Sequence, residues 1–381
     1  MTRAISRVRW LWRVRCVLMS ARRLAAASAL VTLAALTASS CRVEVGAPQA
    51  EQQSAGPVEI WVYTSMYQEV IDELSEMIAR DLPDVTVQWY QAGSEKVAQR
   101  WEAEHAAGGS RACLIATSAP GWYLDLSERA LLREYVSPRA LELPRAWVTP
   151  TWAAIRVSLM VLASADPRAR ADSADVDVAG ADVAPADLPA SFADLAQPAW
   201  RDRFSTGDPL SSGTNFATLS AWVERYGWAW LEDLQQNGWI AAGGNSAVMA
   251  RMDSGERPVG VILLENLLAK PGVARTILPA DGAIPVLGPL AIPTDCPTPD
   301  AAEQLYDWLL SRAAQEAIVR GHMHSPLPDI APPAGAPPLA EIELMELPAD
   351  FIARMARQAE DRKRRFQTLR RTGTAPDQGR P

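Results

Sequence analysis

The chain of 381 residues lacks the motifs that usually carry enzyme chemistry. It contains no G-x-S-x-G, no G-x-x-x-x-G-K-[ST] and no G-x-G-x-x-G, so nothing supports a serine hydrolase, a P-loop nucleotidase or a dinucleotide-binding enzyme. It has only three histidines. His105 has no evident partner, and His322 with His324 makes an incomplete zinc set. We expect no catalysis and no cofactor; the alternative from another class is a metal-dependent exported hydrolase.

Cysteine is also scarce, with four residues in the chain. Cys16 falls in an N-terminal targeting segment and Cys41 at its end. Cys113 and Cys296 can pair in an oxidising compartment, but two cysteines without a motif are a weak signal. Two free buried thiols are an equally good prediction at this stage.

Positive charge is in deficit once the N-terminal segment is set aside. The whole chain has 37 basic and 45 acidic residues, a net charge of −8. Residues 1–41 contain seven arginines and no acid, so the remainder has 30 basic residues against 45 acidic ones, a net charge of −15. This balance argues against nucleic acid as a partner.

The N-terminus has the pattern of a signal peptide. Its basic region is followed by an apolar run from Leu24 to Ala38, which is too short for a comfortable transmembrane helix. The start is Met1 or Met19. Ala38-Ser39-Ser40-Cys41 resembles a bacterial lipobox, although Leu is usual at the position of Ala38. We therefore predict lipidation at Cys41, a tether over residues 42–56, and a periplasmic or cell-surface location at a membrane.

Alternating strand and helix patterns follow from residue 58 onward. Strands that alternate with helices predict a parallel α/β sheet with helices on its faces. Residues 165–190 are rich in Ala and Asp and predict a surface loop, while Arg362 to Arg365 predict a solvated face of a final helix near residues 349–371. The predicted strands are Val58–Tyr63, Val85–Tyr90, Ala112–Thr117, Ile155–Ala163, Val259–Leu264 and Ile284–Ile292.

Small polar residues stand at five junctions where helices begin. The Ser211–Thr214 junction precedes an amphipathic helix, and taken alone it is most simply an N-cap. Helix N-termini also offer free N–H groups to anions, and ligands bind outside the carboxyl ends of parallel strands. Five such junctions on one fold therefore predict a polar ligand cleft. They are Thr64-Ser65, Gly93-Ser94, Thr117-Ser118, Ser211-Ser212-Gly213-Thr214 and Asn245-Ser246.

Five segments of the chain carry a family resemblance. They are VEIWVYTSMYQEVID, QAGSEKVAQRW, SFADLAQPAWRDRFSTGDPLSSGT, GGNSAVMARMDSGERPVGV and AEQLYDWLLSRAAQEAIVRG. Together they resemble the bacterial extracellular solute-binding proteins of ABC importers, in the type II branch that includes ferric-ion, sugar-phosphate and aminoethylphosphonate binders. The resemblance implies a small-molecule ligand and, as partners, membrane permease subunits with a cytoplasmic ATPase.

The same resemblance implies a two-lobed α/β fold with parallel-rich sheets flanked by helices. Crossing strands near Arg156–Ala163 and Pro285–Ile292 would join the lobes and let them close on a ligand. The implied boundaries are residues 57–157 plus 285–330 for lobe 1, 158–284 for lobe 2, and 331–381 for a Pro-rich linker and C-terminal helix.

The solute class depends on where the sequence departs from the family. Ferric binders usually carry two adjacent tyrosines just after the strand that matches Val259–Leu264, and here that place reads Leu264-Glu265-Asn266-Leu267, with no tyrosine. The SSGT junction resembles the phosphate-holding loop of phosphorylated-solute binders. Glu265 then suits an ammonium or sugar hydroxyl of the same ligand, unless it is only a carboxylate at a helix start. We expect a phosphonate or phosphorylated solute; the alternative is ferric iron held by a partial set of Tyr63, Tyr67 and Glu265.

Overall fold

Within residues 56–165 and 188–373, which a computed structural model describes, nine strands form one mixed sheet flanked by helices. The predicted signal peptide with Cys41, the predicted tether up to residue 55 and residues 166–187 of the predicted surface loop lie outside the described residues. The strand order is β2-β1-β3-β9-β4-β7-β5-β6, and β8 pairs with β4. The strands are β1 (Val58–Thr64), β2 (Val85–Gln91), β3 (Ala112–Ala116), β4 (Trp152–Ala165), β5 (Phe204–Thr206), β6 (Ile240–Ala241), β7 (Val259–Leu263), β8 (Ala274–Ile277) and β9 (Ile284–Ala291).

Ten α-helices lie in the described ranges. The helix after the Ser211–Thr214 junction, α4, is broken at Gly227, where φ is +80°. Glycine adopts this left-handed φ without steric cost, which explains the break. The helices are α1 (Gln68–Asp81), α2 (Ser94–Ala106), α3 (Pro120–Glu128), α4 (Gly213–Gln236), α5 (Asn245–Ser254), α6 (Leu264–Leu268), α7 (Pro299–Leu309), α8 (Arg312–Arg320), α9 (Phe351–Arg357) and α10 (Ala359–Gly373).

Two parallel sections of the sheet face each other. Strand β1 pairs in parallel with β2 and β3, and β5 pairs in parallel with β6 and β7. We name these the first section (β1–β3 with α1–α3) and the second section (β5–β7 with α4–α6). Strand β9 is antiparallel to both β3 and β4, and β7 is antiparallel to β4. The two sections therefore run in opposite directions, and their carboxyl ends meet across β4 and β9.

The long strands β4 and β9 connect the two sections, as the predicted crossing strands would. Thirteen of the fourteen residues of β4 are buried, because both faces of this part of the sheet are covered. Near its start β4 pairs with the part of β9 that also contacts β3, and over Met160–Ser164 it pairs with β7. The predicted lobe boundaries are consistent with this pairing and stay a prediction.

Cys113 and Cys296 form a disulfide, which settles the question that the sequence left open. Cys113 lies in β3, and Cys296 lies between β9 and α7, 183 residues later. The bond therefore fixes a long-range contact within the core that contains α1, α7 and α8. A disulfide is expected of a protein that folds in an oxidising compartment.

The basic run in α10 is not the solvated face that its composition predicts. Arg362 is 2% exposed, and its guanidinium pairs with Glu224 of α4 and donates to the Ser220 carbonyl. Lys363 pairs with Glu95 of α2. Only Arg364 and Arg365 are mainly exposed. The prediction failed because the partners lie far away in the sequence.

Candidate functional site

A cleft of about 270 Å³ lies between the facing carboxyl ends of the two sections. All five predicted junctions contribute to it, together with Glu265. The predicted residues that line it are Ser65, Ser94, Ser118, Ser211, Ser212, Gly213, Thr214, Asn245, Ser246 and Glu265. Gly93 of the second junction also lines the cleft. The lining residues that were not predicted for the preferred site are Tyr67, Arg156, Ser158, Gly244, Leu263 and Asn266.

Thr64 and Thr117 do not line the cleft, contrary to prediction. Both side chains are fully buried. The Thr64 hydroxyl donates to the Ala116 carbonyl at 2.9 Å and accepts from the Met66 N–H at 3.1 Å. The Thr117 N–H donates to the Tyr123 hydroxyl at 2.8 Å. Successive residues at the end of a strand point to opposite faces, so the following serines turn toward the cleft instead.

Three serines and one arginine form the first side of the cleft. The Ser118 N–H lies 3.1 Å from the Ser94 hydroxyl and 3.2 Å from the Ser65 hydroxyl. Nη2 of Arg156 donates to the hydroxyl oxygens of Ser65 and Ser118, each at 2.9 Å. A hydroxyl that accepts from Arg156 keeps its own proton free to donate. Ser65 and Ser118 therefore present donors to the cleft, whereas the Ser94 hydroxyl donates to Ser65 at 3.2 Å.

Arg156 is the one charged residue of β4, whose other residues are apolar except for Ser158 and Ser164. The register of β4 against β9 shifts between Ala154 and Arg156, so one extra residue stands in β4 at this point. Such a bulge redirects the side chains that follow it. Gly288 of β9 leaves the necessary room, since a Cβ there would lie 2.5 Å from the Arg156 Cγ. The sequence offered one signal for Arg156, namely an arginine within a predicted buried strand, because a charged residue is rarely buried without a partner.

The charge of Arg156 is only partly compensated by the described residues. The side chain is 2% exposed, and Nε has no hydrogen-bond partner in the parts of the chain that the structure describes. Burial lowers the pKa of Arg156, while Glu265 and Tyr67 act in the opposite direction. An anion in the cleft would relieve the cost of burying this cation.

The second side of the cleft is built on the N-terminus of α4. Ser212 is the N-cap of α4, and its hydroxyl accepts from the Asn215 N–H, so the simple capping role is confirmed. The Ser212 and Thr214 hydroxyls are 3.0 Å apart. Asn215 was not predicted and is almost fully buried; its Nδ2 donates to Ser212 and to Asn245 of α5, at 3.0 and 3.1 Å. One amide thus fixes the positions of two helix N-termini.

Helices α2, α4 and α5 all begin at the cleft. The N-caps of α2 and α5 are Gly93 and Gly244, and neither supplies a side-chain cap. The first N–H groups of a helix have no intrahelical acceptor, and the helix dipole is positive at this end. The three N-termini and Arg156 therefore favour a negatively charged or strongly accepting ligand.

Glu265 is the one acidic group among the residues that line the cleft. It is 3% exposed, and its Oε1 atom has no hydrogen-bond partner among the described residues. Burial raises the pKa of Glu265 to about 7, against the opposing effects of the Ser158 hydroxyl and Arg156. Oδ1 of the adjacent Asn266 is likewise buried and unpartnered within the described ranges. Two buried acceptor atoms without partners, one from Glu265 and one from Asn266, therefore lie next to each other in the chain. A carboxylate on the protein surface would be exposed to water instead, so Glu265 is not a surface carboxylate.

The structure separates the residues of the alternative iron set. Tyr67 and Glu265 line the cleft, but the Tyr63 hydroxyl donates to Glu104 and does not. Burial and the nearby Glu265 raise the pKa of Tyr67, which disfavours the tyrosinate that ferric iron prefers. Tyr63, Tyr67 and Glu265 therefore do not form one ligand set.

The histidines do not form a metal site in the described parts of the chain. Nδ1 of His105 lies 3.3 Å from an oxygen of Asp295, and Nε2 of His324 lies 3.1 Å from the Pro337 carbonyl oxygen. No group of three or more His, Cys, Asp or Glu residues that could hold a metal occurs among the described residues.

The two sections are in contact at the cleft. A Cβ added at Gly213 would lie 2.7 Å from the Ser118 carbonyl oxygen and 3.0 Å from the Ser94 Cβ. Only glycine lets the N-terminus of α4 approach the first section so closely. The structure thus describes a closed arrangement.

No helix within the described ranges has the length and apolar character needed to cross a membrane.

Solved structures of similar fold come from several bacteria. Iron-bound HitA from Pseudomonas aeruginosa superposes with a TM-score of 0.68 at 18% identity, covering 84% of this chain and 100% of that one. AfuA from Actinobacillus pleuropneumoniae with fructose-6-phosphate bound has a TM-score of 0.68 at 18% identity, covering 84% and 99%. IdiA (FutA) from Trichodesmium in complex with iron and citrate has a TM-score of 0.65 at 15% identity, covering 82% and 99%. At these identities the likeness shows the two-lobed periplasmic binding protein fold.

Sequence comparison identifies the family. No curated protein gives a significant match. The family model for bacterial extracellular solute-binding proteins matches residues 58–324, well over half of the chain. The chain therefore belongs to the bacterial extracellular solute-binding protein family, as the solute-binding component of an ABC importer.

Proposed function

We propose that the protein captures a small anionic solute, a phosphonate or phosphorylated compound, in the cleft and delivers it to a membrane permease. The observation that carries this proposal is Arg156. It is a buried cation with an unpartnered Nε atom, and two serines hold it where three helices begin. A phosphate or phosphonate group offers three acceptor oxygens to these donors.

Glu265 defines the other end of the solute in this proposal. Its unpartnered Oε1 atom needs a donor, and an ammonium group or a hydroxyl group supplies one. A compound with an anionic group near Arg156 and an ammonium or hydroxyl group near Glu265 would satisfy both. An aminophosphonate and a sugar phosphate both fit this description.

Ferric iron is the less favoured solute for this chain. The cleft holds one tyrosine and one carboxylate, with a buried arginine beside them. Iron-bound relatives such as HitA share the fold at 18% identity, and this likeness does not assign a ligand. A trivalent cation next to Arg156 would meet electrostatic repulsion in a poorly screened site.

The proposal extends to attachment at the cell surface. Members of the family are exported. The Ser39-Ser40-Cys41 sequence at the end of the signal peptide supports a lipid anchor at Cys41, which would keep the binding domain near its permease.

Calorimetry tests the proposed ligand class. The panel contains 2-aminoethylphosphonate, fructose 6-phosphate, inorganic phosphate and ferric citrate, and native mass spectrometry identifies any solute that copurifies. Arg156→Met should weaken binding of the best anion at least about thirtyfold, because removing one member of a buried charge pair costs about 2–5 kcal/mol. Thr214→Ala should weaken it about ten- to a hundredfold, because a hydrogen bond to a charged group contributes about 1.5–3 kcal/mol.

Arg133→Met is the matched control, since it removes an exposed cation that pairs with Glu303 away from the cleft. It should leave the affinity unchanged. Tight binding of ferric citrate with no binding of any phosphorylated compound would overturn the proposal. So would an Arg156→Met variant that binds the best anion as tightly as the unaltered protein.

A further inference from the structure

Helix α10 is fixed to the second section on the outside of the cleft. Its buried Arg362 pairs with Glu224 of α4 and donates to the Ser220 carbonyl at 3.1 Å. Phe366 is 1% exposed, and its ring meets Trp239 edge-on. Separating a buried ion pair leaves an uncompensated charge, so this attachment is strong. Helix α10 is therefore expected to move with the second section.

The C-terminal helices also contact the first section at two points. A Cβ at Gly121 of α3 would lie 3.4 Å from the Ala356 Cα of α9, so these two helices pack closely. Nζ of Lys363 donates to Oε2 of Glu95 at 2.8 Å, and both side chains are mostly buried, with 23% and 18% exposure. This ion pair joins α10 to α2, that is, the second section to the first.

Lys363 stands beside the first turns of two helices that begin at the cleft. Glu95 follows the cleft residue Ser94 on α2. The ring centroid of Phe216, in the first turn of α4, is 5.2 Å from the Lys363 ammonium. A cavity of about 290 Å³ lies at this contact, and Gly213 lines both this cavity and the cleft. If the cleft opens by separating the sections, Glu95 must leave Lys363.

We propose that Lys363 and Glu95 are positioning residues for solute capture, whose ion pair holds the first turn of α2 against the second section and favours the closed cleft. The proposal rests on the proposed function for the location of the binding site. Apparent affinity falls with the fraction of molecules in the binding-competent state. Loss of a partly exposed ion pair should therefore weaken binding about two- to fivefold.

The charges around Lys363 define the most informative variant. Lys363 is the one basic residue among those lining the cavity, which also include Glu95, Asp125 and Glu360. Lys363→Glu therefore places a fourth carboxylate there and should separate the sections more than Lys363→Met does. Lys363→Arg keeps the charge and should restore closure.

Hydrogen–deuterium exchange of the ligand-free full chain tests the proposal without knowledge of the solute. In Lys363→Glu, peptides covering α2 and α3 should exchange at least twofold faster than in the control, while peptides covering α10 should not. The control is Arg364→Met, which removes the adjacent cation; its side chain is 71% exposed and it pairs with Asp361 of the same helix. Equal exchange in α2 and α3 for the two variants would overturn the proposal. So would faster exchange in α10, because that would indicate local unfolding.

Affinity for 2-aminoethylphosphonate, or for the tightest anion of the panel, supplies the second readout. We expect the order Lys363→Arg, Lys363→Met, Lys363→Glu from tightest to weakest, with Arg364→Met equal to the unaltered protein. An equal affinity for Lys363→Glu and Arg364→Met would contradict the positioning role. If no anion of the panel binds, the proposed function fails, and the exchange experiment still decides whether this ion pair holds the sections together.

Discussion

Glu265→Gln should change how the stability of the protein depends on pH. The pKa of Glu265 is raised by burial from 4.5 to about 7. A raised pKa in the folded state means that folding favours the protonated carboxyl. The stabilisation from this protonation is fully present below pH 4.5 and is lost as the pH rises through about 7. Glutamine imitates the protonated carboxyl in shape and cannot ionise.

The size of the effect follows from linkage. A pKa difference of about 2.5 corresponds to roughly 3 kcal/mol, because each unit is worth about 1.4 kcal/mol. The free energy of unfolding of Glu265→Gln, relative to the unaltered protein, should therefore increase by roughly 3 kcal/mol between pH 4.5 and 8. Most of this increase should fall between pH 5 and 7, with no further change above pH 8.

Urea unfolding of the ligand-free protein at several pH values measures this difference. Tryptophan fluorescence is a suitable signal, and Glu76→Gln in an exposed position of α1 is the matched control. Glu76→Gln should follow the unaltered protein at every pH. If the stability of Glu265→Gln relative to the unaltered protein stays constant from pH 5 to 8, Glu265 is not buried as its contacts imply. The assignment of Glu265 as a buried carboxyl group of the cleft would then be wrong.

Three further substitutions test separate steps of the argument. Gly288→Ala should displace Arg156 and weaken anion binding about as much as Arg156→Met does. Calorimetry should show that the double variant loses little more affinity than either single variant. Additive losses of binding free energy would contradict the coupling between Gly288 and Arg156. Gly213→Ala should hold the sections apart and weaken binding at least about tenfold without loss of thermal stability, since alanine suits a helix start. Unchanged affinity in Gly213→Ala would contradict the close contact with Ser118. Cys41→Ala should move the protein from the membrane fraction to the soluble exported fraction, and a soluble unaltered protein that begins after Cys41 would refute lipidation.

The contact at Gly213 determines what an acidic substitution at this position would do. An aspartate there places a negative charge at the N-terminus of α4, where an anion is proposed to bind. The structure shows that even a methyl group at Gly213 meets the Ser118 carbonyl oxygen at 2.7 Å. Any side chain there acts first as a wedge, so loss of binding in Gly213→Asp would not demonstrate electrostatic repulsion.

Most of the sheet could be predicted because its long strands are apolar runs between helix patterns. Strands β1, β2, β3, β7 and β9 have bounds within one or two residues of the sequence prediction. Strands β5 and β6 have only three and two residues, and β8 has four. Such short segments contain too few residues for a period to be recognised. They are defined by their pairing partners, which a single sequence does not show.

The cleft was predictable to the extent that topology determines it. Residues at the carboxyl ends of strands meet at one edge, so the polar junctions identified most of the lining. Arg156 was missed because it lies within a strand, where a bulge and a glycine on the neighbouring strand direct its side chain. Asn215 was missed because only the folded chain brings Thr206, Gly207 and Asn245 to its side-chain amide.

The acidic composition of the chain does not describe the charge inside its cleft. The sequence after residue 41 is strongly acidic, and yet the cleft contains one buried cation, one carboxylate and three helix N-termini. Protonation of Glu265 near neutral pH leaves Arg156 and the helix dipoles as the main electrostatic contributions, which favours an anion.

A solute with an ammonium group needs the ionised carboxylate of Glu265 and should bind more tightly as the pH rises through about 7. A solute whose hydroxyl only needs an acceptor gains less from that ionisation, and its anionic group is repelled by the new charge. The pH dependence of affinity therefore distinguishes an aminophosphonate from a sugar phosphate, because the same carboxylate contributes in opposite directions.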